Sequence, residues 1–120
     1  MIVDTQMTLE LGNITFDCAD AARVGTFWSA ALNRPLDDGP SEWFASIGRS
    51  DQSQTVWLFI KVPEGKQAKN RCHVDLRADN RDAEVARLLA LGAQHHNDYD
   101  EHGHRWTTLR DVEGNEFCVF

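Results

Sequence analysis

The chain has 120 residues, of which 42% are hydrophobic and 26% are charged. This length suits one domain, and the composition excludes a disordered, collagen-like or coiled-coil chain. The net charge is −7 and the basic residues are not gathered into one arm or face, so we expect no nucleic-acid partner. The first ten residues lack the basic and long apolar regions of a signal peptide, and no apolar run approaches the ~20 residues that span a bilayer. We therefore expect a cytoplasmic protein with no membrane contact.

The first half of the chain has the pattern of a β-α-β-β-β unit. Residues 11–18 alternate between apolar and polar side chains, which predicts a half-buried strand. Asp20 is placed to cap the following helix, whose apolar side chains recur at helical spacing until Pro35 stops it. A short strand is predicted near Leu36. Two β-rich runs joined by a polar loop then predict a hairpin, and they span 42–48 and 55–62.

The second half repeats this order. Residues 71–77 alternate again, and a capped helix is predicted over 80–91. Three more strands are predicted over 93–97, 105–111 and 116–120. A shift of 60 positions carries the first helix cap, Asp20, onto the second, Asn80, which indicates a duplicated unit.

The two units, called modules below, are joined by a polar segment rich in turn formers. We expect one domain made of a first module over residues 9–62, a linker over 63–70 and a second module over 71–120. The cysteines Cys18, Cys72 and Cys118 lie in apolar, strand-like sequence and form no C-x-x-C pair. We therefore expect three buried free thiols, and we expect Cys118 to be an inert core residue.

Several motifs together resemble one known superfamily. They are the FW pair of the first helix, KNRCHVDL at 69–76, the LGA after the second helix and DVEGNEFCVF at 111–120. This set resembles the glyoxalase, bleomycin-resistance and extradiol-dioxygenase superfamily, also called the vicinal oxygen chelate fold, and more narrowly the bacterial glyoxalase-like proteins. The resemblance implies an α+β fold in which two β-α-β-β-β modules form a cup-shaped mixed sheet. The helices would cover its outer face, and a ligand cavity would lie inside the cup.

The resemblance also implies where a metal would be held. Metal-using members bind it through side chains on the first and last strands of each module. In this chain those positions fall on Asn13, His73, Cys118 and the segment 58–60. Only His73 is a standard ligand, and the segment 58–60 is apolar, so this set cannot repay the dehydration of a divalent ion. We expect no cofactor; a divalent metal, if one binds, would use His73.

Two residues are the candidates for catalysis. His73 could bind a metal or move a proton, and the alternative is a hydrogen-bonded histidine without chemistry. Glu116 shares a strand face with Cys118 and could act as a general base, and the alternative is a solvated carboxylate at the strand end. Alternation predicts that the cavity lies on the polar face of the strands. The expected substrate-binding residues are Asn13, Thr15, Asp17, Trp43, Leu58, Ile60, Asp75, Trp106 and Cys118.

Other conspicuous side chains have simpler interpretations. For Trp43 and Trp106, core packing is favoured over stacking on a planar ligand. The four histidines of 95–104 are interpreted as a solvated hairpin tip, because their spacing matches no zinc pattern. Lys66 is interpreted as a solvated linker residue, whereas the two basic residues that follow it could hold an anionic group.

These features favour a small-molecule-binding protein for a mainly apolar molecule, as in the antibiotic-sequestering branch of the superfamily. The resemblance also suggests a homodimer. The alternative is a metal-dependent lyase, isomerase or dioxygenase that uses His73 and Glu116. A third possibility is an interaction module that needs only the dimer. The incomplete metal set favours the first hypothesis over the second.

Overall fold

The structure is a computed structural model that describes residues 8–51 and 53–120. Residues 1–7, part of the stretch examined for a signal peptide, and Gln52 in the predicted hairpin loop lie outside the described residues. No helix within the described residues is long and apolar enough to cross a membrane. The elements in chain order are β1 (Asn13–Cys18), α1 (Ala21–Leu32), β2 (Phe44–Ile47), β3 (Val56–Lys61), β4 (Asp75–Leu76), α2 (Arg81–Ala90), β5 (Gln94–Glu101), β6 (His104–Arg110) and β7 (Glu116–Val119).

The strands form two mixed sheets, one in each module. Their orders are β1-β3-β2 and β4-β7-β6-β5. In the first sheet β3 runs parallel to β1 and antiparallel to β2. In the second sheet β7 runs parallel to β4, and β6 is antiparallel to both of its neighbours, β7 and β5. A single bridge between Leu36 and Ile47 takes the place of the predicted short strand. The predicted α+β fold is therefore confirmed.

The internal repeat is visible in the strand register. Thr15 lies opposite Leu58 in the first sheet, and Asp75 lies opposite Cys118 in the second. Both members of the second pair are 60 positions after those of the first, as the sequence pattern predicts. The helix caps also correspond, because the side chain of Asp20 accepts from a backbone N–H of α1 and that of Asn80 from one of α2.

Helix α1 joins the two modules. Its Trp28 is fully buried, with its ring centroid 4.8 Å from that of Phe117 in β7. The indole Nε1 donates to a carboxylate oxygen of Asp111 at 2.9 Å. On the first sheet α1 packs against Phe59, whose neighbours Leu58 and Ile60 point to the opposite face because side chains alternate. Each sheet thus keeps a face that the helices do not cover.

The predicted strand over 71–77 is shorter in the structure, and one cysteine is exposed as a result. Only Asp75 and Leu76 form β4. Upstream, the backbone N–H of Asn70 donates to the side chain of Glu116 at 2.8 Å instead of to a neighbouring strand. Because Cys72 precedes the ladder, alternation does not bury it. The expectation of three buried thiols is therefore wrong for Cys72, whereas Cys18 and Cys118 are buried.

The hairpin of β5 and β6 is longer than predicted. Its pairing continues to Glu101 opposite His104, which leaves a turn of two residues. Those residues, His102 and Gly103, have φ values of 53° and 79°. Two successive positive φ values are typical of a type I′ turn, which matches the twist of the flanking strands. The histidines of 95–104 are exposed, but most of them lie on strands and not on a tip.

Candidate functional site

A cavity of about 620 Å³ opens on the face of the second sheet that the helices do not cover. Phe117 packs against α1, so its neighbours Glu116 and Cys118 point to the cavity side. Every lining residue comes from the second module or from the end of the linker. They are Lys69, His73, Asp75, His96, Tyr99, Glu101, His102, His104, Arg105, Trp106, Thr108, Glu116, Cys118 and Phe120.

The structure brings together only part of the predicted site. Both catalytic candidates and three of the predicted substrate-binding residues line the cavity, namely His73, Glu116, Asp75, Trp106 and Cys118. The other six do not line it: Asn13, Thr15, Asp17, Trp43, Leu58 and Ile60. This cavity therefore differs from the predicted one, which both modules would share. These six belong to the first module, whose sheet pairs no strand with the second.

Three donor side chains meet on the floor of the cavity. His73 Nδ1 lies 3.1 Å from Asp75 Oδ1 and 3.9 Å from Cys118 Sγ. The parallel register of β4 and β7 places Asp75 beside Cys118, and His73 precedes Asp75 by two positions on the same side. The ligand atoms of these residues all lie within 4.8 Å of one another, so this group could hold a metal ion.

Cys118 is a protonated thiol in its resting surroundings. Burial raises the pKa of Cys118, and the nearby carboxylate of Asp75 raises it further, although a hydrogen bond from Thr108 opposes the shift. The Thr108 Oγ1 and Cys118 Sγ atoms are 3.3 Å apart. A thiol of raised pKa is a poor nucleophile at neutral pH, which agrees with the expectation that Cys118 is inert by itself.

Glu116 is a buried, ion-paired carboxylate. Its Oε1 accepts from the backbone N–H of Asn70 at 2.8 Å and lies 3.2 Å from Lys66 Nζ. Oε2 lies 3.7 Å from Arg110 Nε. Burial alone would raise the pKa of Glu116, but the Asn70 and Lys66 contacts hold it below its ordinary value of 4.5.

Two expectations change with this arrangement. Glu116 is 7% exposed, so its interpretation as a solvated carboxylate is wrong. Lys66 is also not a free linker residue, because its ammonium pairs with that carboxylate. The contacts give Glu116 a structural task, fixing the linker against β7, and leave it a weak base.

One wall of the cavity is aromatic. The rings of Tyr99 and Trp106 are stacked, with centroids 4.9 Å apart and planes at 14°. Trp106 is half-buried beside the cavity, so the core packing favoured for it is wrong. Trp43 is 63% exposed, with the ammonium of Lys61 4.6 Å from its ring centroid, so core packing is wrong there too.

Sequence analysis missed the hairpin residues of this cavity. His96, His102 and His104 line it because β5 and β6 extend past the rest of the sheet. His95 points elsewhere, with its Nε2 3.2 Å from Asp98. The sequence signal for this two-residue turn is the pair His102-Gly103. Histidine is among the non-glycine residues that more readily accept a positive φ.

The four metal positions implied by the family resemblance do not meet in this chain. His73 lies just before β4 and Cys118 lies in β7, and both line the cavity, while Asn13 and the segment 58–60 are in the first sheet and do not line it. Asp75, which the four-position set does not include, stands with His73 and Cys118 instead. The H-x-D spacing of residues 73 and 75 on one strand face was the signal for this carboxylate.

Comparison with known proteins identifies relatives that cover most of the chain. The sequence model of the family described as "Glyoxalase-like domain" matches residues 13–120. Comparison with curated proteins gives no match.

Three solved structures illustrate the likeness in fold. A glyoxalase/bleomycin resistance protein/dioxygenase family enzyme from Burkholderia phytofirmans PsJN has a TM-score of 0.75 and 16% identity, covering 92% of this chain and 97% of its own. A mutant of the fosfomycin resistance protein FosX from Listeria monocytogenes, complexed with Mn(II) and 1S,2S-dihydroxypropylphosphonic acid, has a TM-score of 0.74 and 15% identity, covering 94% and 90%. A possible glyoxalase from Bacillus cereus has a TM-score of 0.70 and 15% identity, covering 94% and 99%.

Proposed function

The chain belongs to the glyoxalase-like domain family of the vicinal oxygen chelate superfamily, and from this premise we propose that it is a small-molecule-binding protein. The observation that carries the proposal is the cavity of about 620 Å³, which falls in the size range of small-molecule sites. Its lining combines an aromatic wall with charged and polar side chains, which can orient a bound molecule.

We propose that the ligand is a small, partly aromatic molecule with an anionic end. The stacked pair Tyr99 and Trp106 offers a flat apolar surface for a planar group. Lys69 and Arg105 line the same cavity and can pair with a carboxylate or phosphonate. The phosphonic acid bound by the Listeria structure is also a small anion, which supports this choice.

Binding of this ligand does not require the four-position metal site of the metal-using relatives. Asn13 and the segment 58–60 belong to the first sheet and do not line the cavity that holds His73. His73 would instead contact the polar part of the ligand, because its ring lies beside Asp75 in the cavity. We also propose that the protein is a cytoplasmic homodimer of bacterial source. The proposal includes no binding to a membrane or to nucleic acid.

The test is a binding titration with aromatic carboxylates and the matching neutral amides. We expect the carboxylates to bind more tightly, and Trp106→Ala to weaken them by roughly tenfold or more through loss of stacking. Lys69→Gln should reduce the preference for the carboxylate over the amide. Isothermal calorimetry measures each affinity.

Trp43→Ala is the matched control, since Trp43 is exposed outside the cavity. It should leave binding unchanged. The proposal fails if none of the carboxylates bind, or if Trp43→Ala weakens them as much as Trp106→Ala does.

The second candidate function is a metal-dependent lyase, isomerase or dioxygenase. The grouping of His73, Asp75 and Cys118 favours it, because three protein ligands and an open position are typical of a catalytic metal site. A metal there would supply Lewis acidity toward a bound oxygen atom. Turnover of a carbonyl or catechol substrate, lost in His73→Ala, would identify this function.

A further inference from the structure

We propose that His73, Asp75 and Cys118 form a site for a thiophilic divalent ion of the zinc class. This site differs from the four-position set implied by the family resemblance, because Asp75 belongs to the second module and is absent from that set. It also revises the expectation of no metal, which was based on Asn13 and the segment 58–60. The inference holds whichever organic molecule the cavity binds.

The donor spacing fits tetrahedral coordination. With zinc bond lengths of about 2.0–2.3 Å, tetrahedral angles place nitrogen and sulfur ligands about 3.6 Å apart, and nitrogen and oxygen ligands about 3.3 Å apart. The corresponding separations here are 3.9 Å between His73 Nδ1 and Cys118 Sγ, and 3.1 Å between His73 Nδ1 and Asp75 Oδ1. Both separations are therefore within a few tenths of an ångström of the tetrahedral values. The ligand atoms of Asp75 and Cys118 lie within 4.8 Å of each other, so the exposed Asp75 carboxylate would move toward the buried Cys118 Sγ when an ion binds.

The surroundings allow an ion to enter and leave a fourth position open. The side chains of His73 and Asp75 are 38% and 54% exposed, and Cys118 lies beneath them facing the same cavity. Thr108 Oγ1, 3.3 Å from Cys118 Sγ, can donate to a thiolate and hold it in place. An imidazole, a carboxylate and a thiolate together carry two negative charges, which balances a divalent ion.

Cys118 determines which ion is preferred. Thiolate ligands favour zinc and its neighbours, whereas manganese and magnesium prefer oxygen donors. We therefore expect this chain to differ from the Listeria structure, in which the ion is Mn(II).

The experiment uses chelator-treated protein without an affinity tag, titrated with Co(II) and then with Zn(II). We expect one equivalent of cobalt to bind, with an intense near-ultraviolet sulfur-to-cobalt charge-transfer band, and zinc to displace it. Mn(II) at the same concentration should not displace it. The charge-transfer band separates this site from the histidines of the β5–β6 hairpin, which have no sulfur to contribute.

Variants assign the donors. Cys118→Ser should abolish the band and weaken cobalt binding by at least roughly tenfold, since even groups that only support a ligand are worth that much. Asp75→Asn, at an exposed position, should weaken binding without abolishing the band. Cys72→Ser is the matched control because Cys72 is exposed and outside the group. Circular dichroism checks that each variant is folded.

Several results would overturn the proposal. They are the absence of cobalt binding, cobalt binding without a charge-transfer band, displacement by Mn(II) as effective as that by zinc, or a band lost in Cys72→Ser and kept in Cys118→Ser.

Discussion

Asp111 connects the turn before β7 to helix α1. One carboxylate oxygen accepts from Trp28 Nε1 at 2.9 Å, and the other accepts from the backbone N–H groups of Glu113 and Asn115 at 2.9 and 3.0 Å. Asp111 is buried, so no water molecule can replace its carboxylate as the acceptor for these donors. A single side chain therefore supports both the closing turn and the contact between the modules.

We predict that Asp111→Ala lowers the free energy of unfolding by roughly 2–4 kcal/mol, because buried donors lose their acceptor. Urea denaturation measures the loss. Asp38→Ala, at an exposed position, is the control and should change stability by no more than about 0.5 kcal/mol. Equal effects of the two substitutions would contradict the structural role given to Asp111.

The lowered pKa of Glu116 makes the stability of the fold depend on pH. Its pKa is lowered in the folded protein, so the ionised form stabilises the fold above the ordinary pKa of 4.5. This contribution is lost as the pH falls from 4.5 through the lower folded pKa. We predict that the stability difference between the wild type and Glu116→Gln is constant near neutral pH and shrinks below pH 4.5.

Unfolding curves at a series of pH values test this prediction. Asp38→Asn serves as the comparison, since Asp38 is an exposed carboxylate. A difference for Glu116→Gln that grows as the pH falls would contradict the assignment of Glu116 as an ionised structural residue.

At the scale of elements, the close approach of α1 to the first sheet depends on Gly25. A Cβ atom at this position would lie 3.1 Å from Ala45 Cβ and 3.1 Å from Leu36 Cδ1, and 3.3 Å from Phe59 Cδ2. These distances are shorter than ordinary van der Waals contact. Glycine in mid-helix costs about 1 kcal/mol of helix propensity, and the tight packing explains why it is present.

We predict that Gly25→Ala destabilises the protein by about 1 kcal/mol, because overpacking costs of roughly 1–3 kcal/mol exceed the gain in helix propensity. Thermal unfolding measures the net effect. Thr26→Ala, on the exposed side of the same helix, should be nearly neutral. A Gly25→Ala variant that is more stable than the wild type would contradict this prediction. It would show that the residues of the first sheet move to accept the added methyl group more easily than the contacts indicate.

Local patterns predicted the elements well, and long-range contacts explain the errors. Alternation and capping residues placed β1, α1 and α2, and the register of Asp75 with Cys118 repeats that of Thr15 with Leu58 after the predicted shift of 60 positions. The exposure of Cys72 could not be predicted, because it depends on where the pairing of β4 with β7 begins, more than 40 positions away along the chain. The arrangement of the two sheets also depends on long-range contacts. Local patterns therefore assigned residues of the first sheet to a cavity that the second module and the end of the linker form.

At the scale of the whole molecule, the two sheets have unequal faces. The repeat carries Leu58 and Ile60 onto Cys118 and Phe120, which line the cavity of the second sheet. On the first sheet the equivalent face is open, and Ile60 is 38% exposed. On this face the apolar side chains of Leu58 and Ile60 lie beside the exposed polar side chains of Thr15 and Asp17, so an open, partly apolar face on one module matches an open cavity on the other. We therefore expect a homodimer in which the first sheet of one copy covers the cavity of its partner.

We predict that Ile60→Glu converts this dimer to a monomer, weakening association by roughly a hundredfold or more, since burying an unpaired carboxylate costs several kcal/mol. Sedimentation equilibrium measures the change. Leu89→Glu is the matched control because Leu89, on α2, is 40% exposed and lies away from both open faces. If the dimer completes the site, Ile60→Glu also weakens carboxylate binding in the cavity, although Ile60 is not among its lining residues. A monomeric wild type, or equal dissociation by Leu89→Glu, would contradict this assembly and leave the cavity to the second module alone.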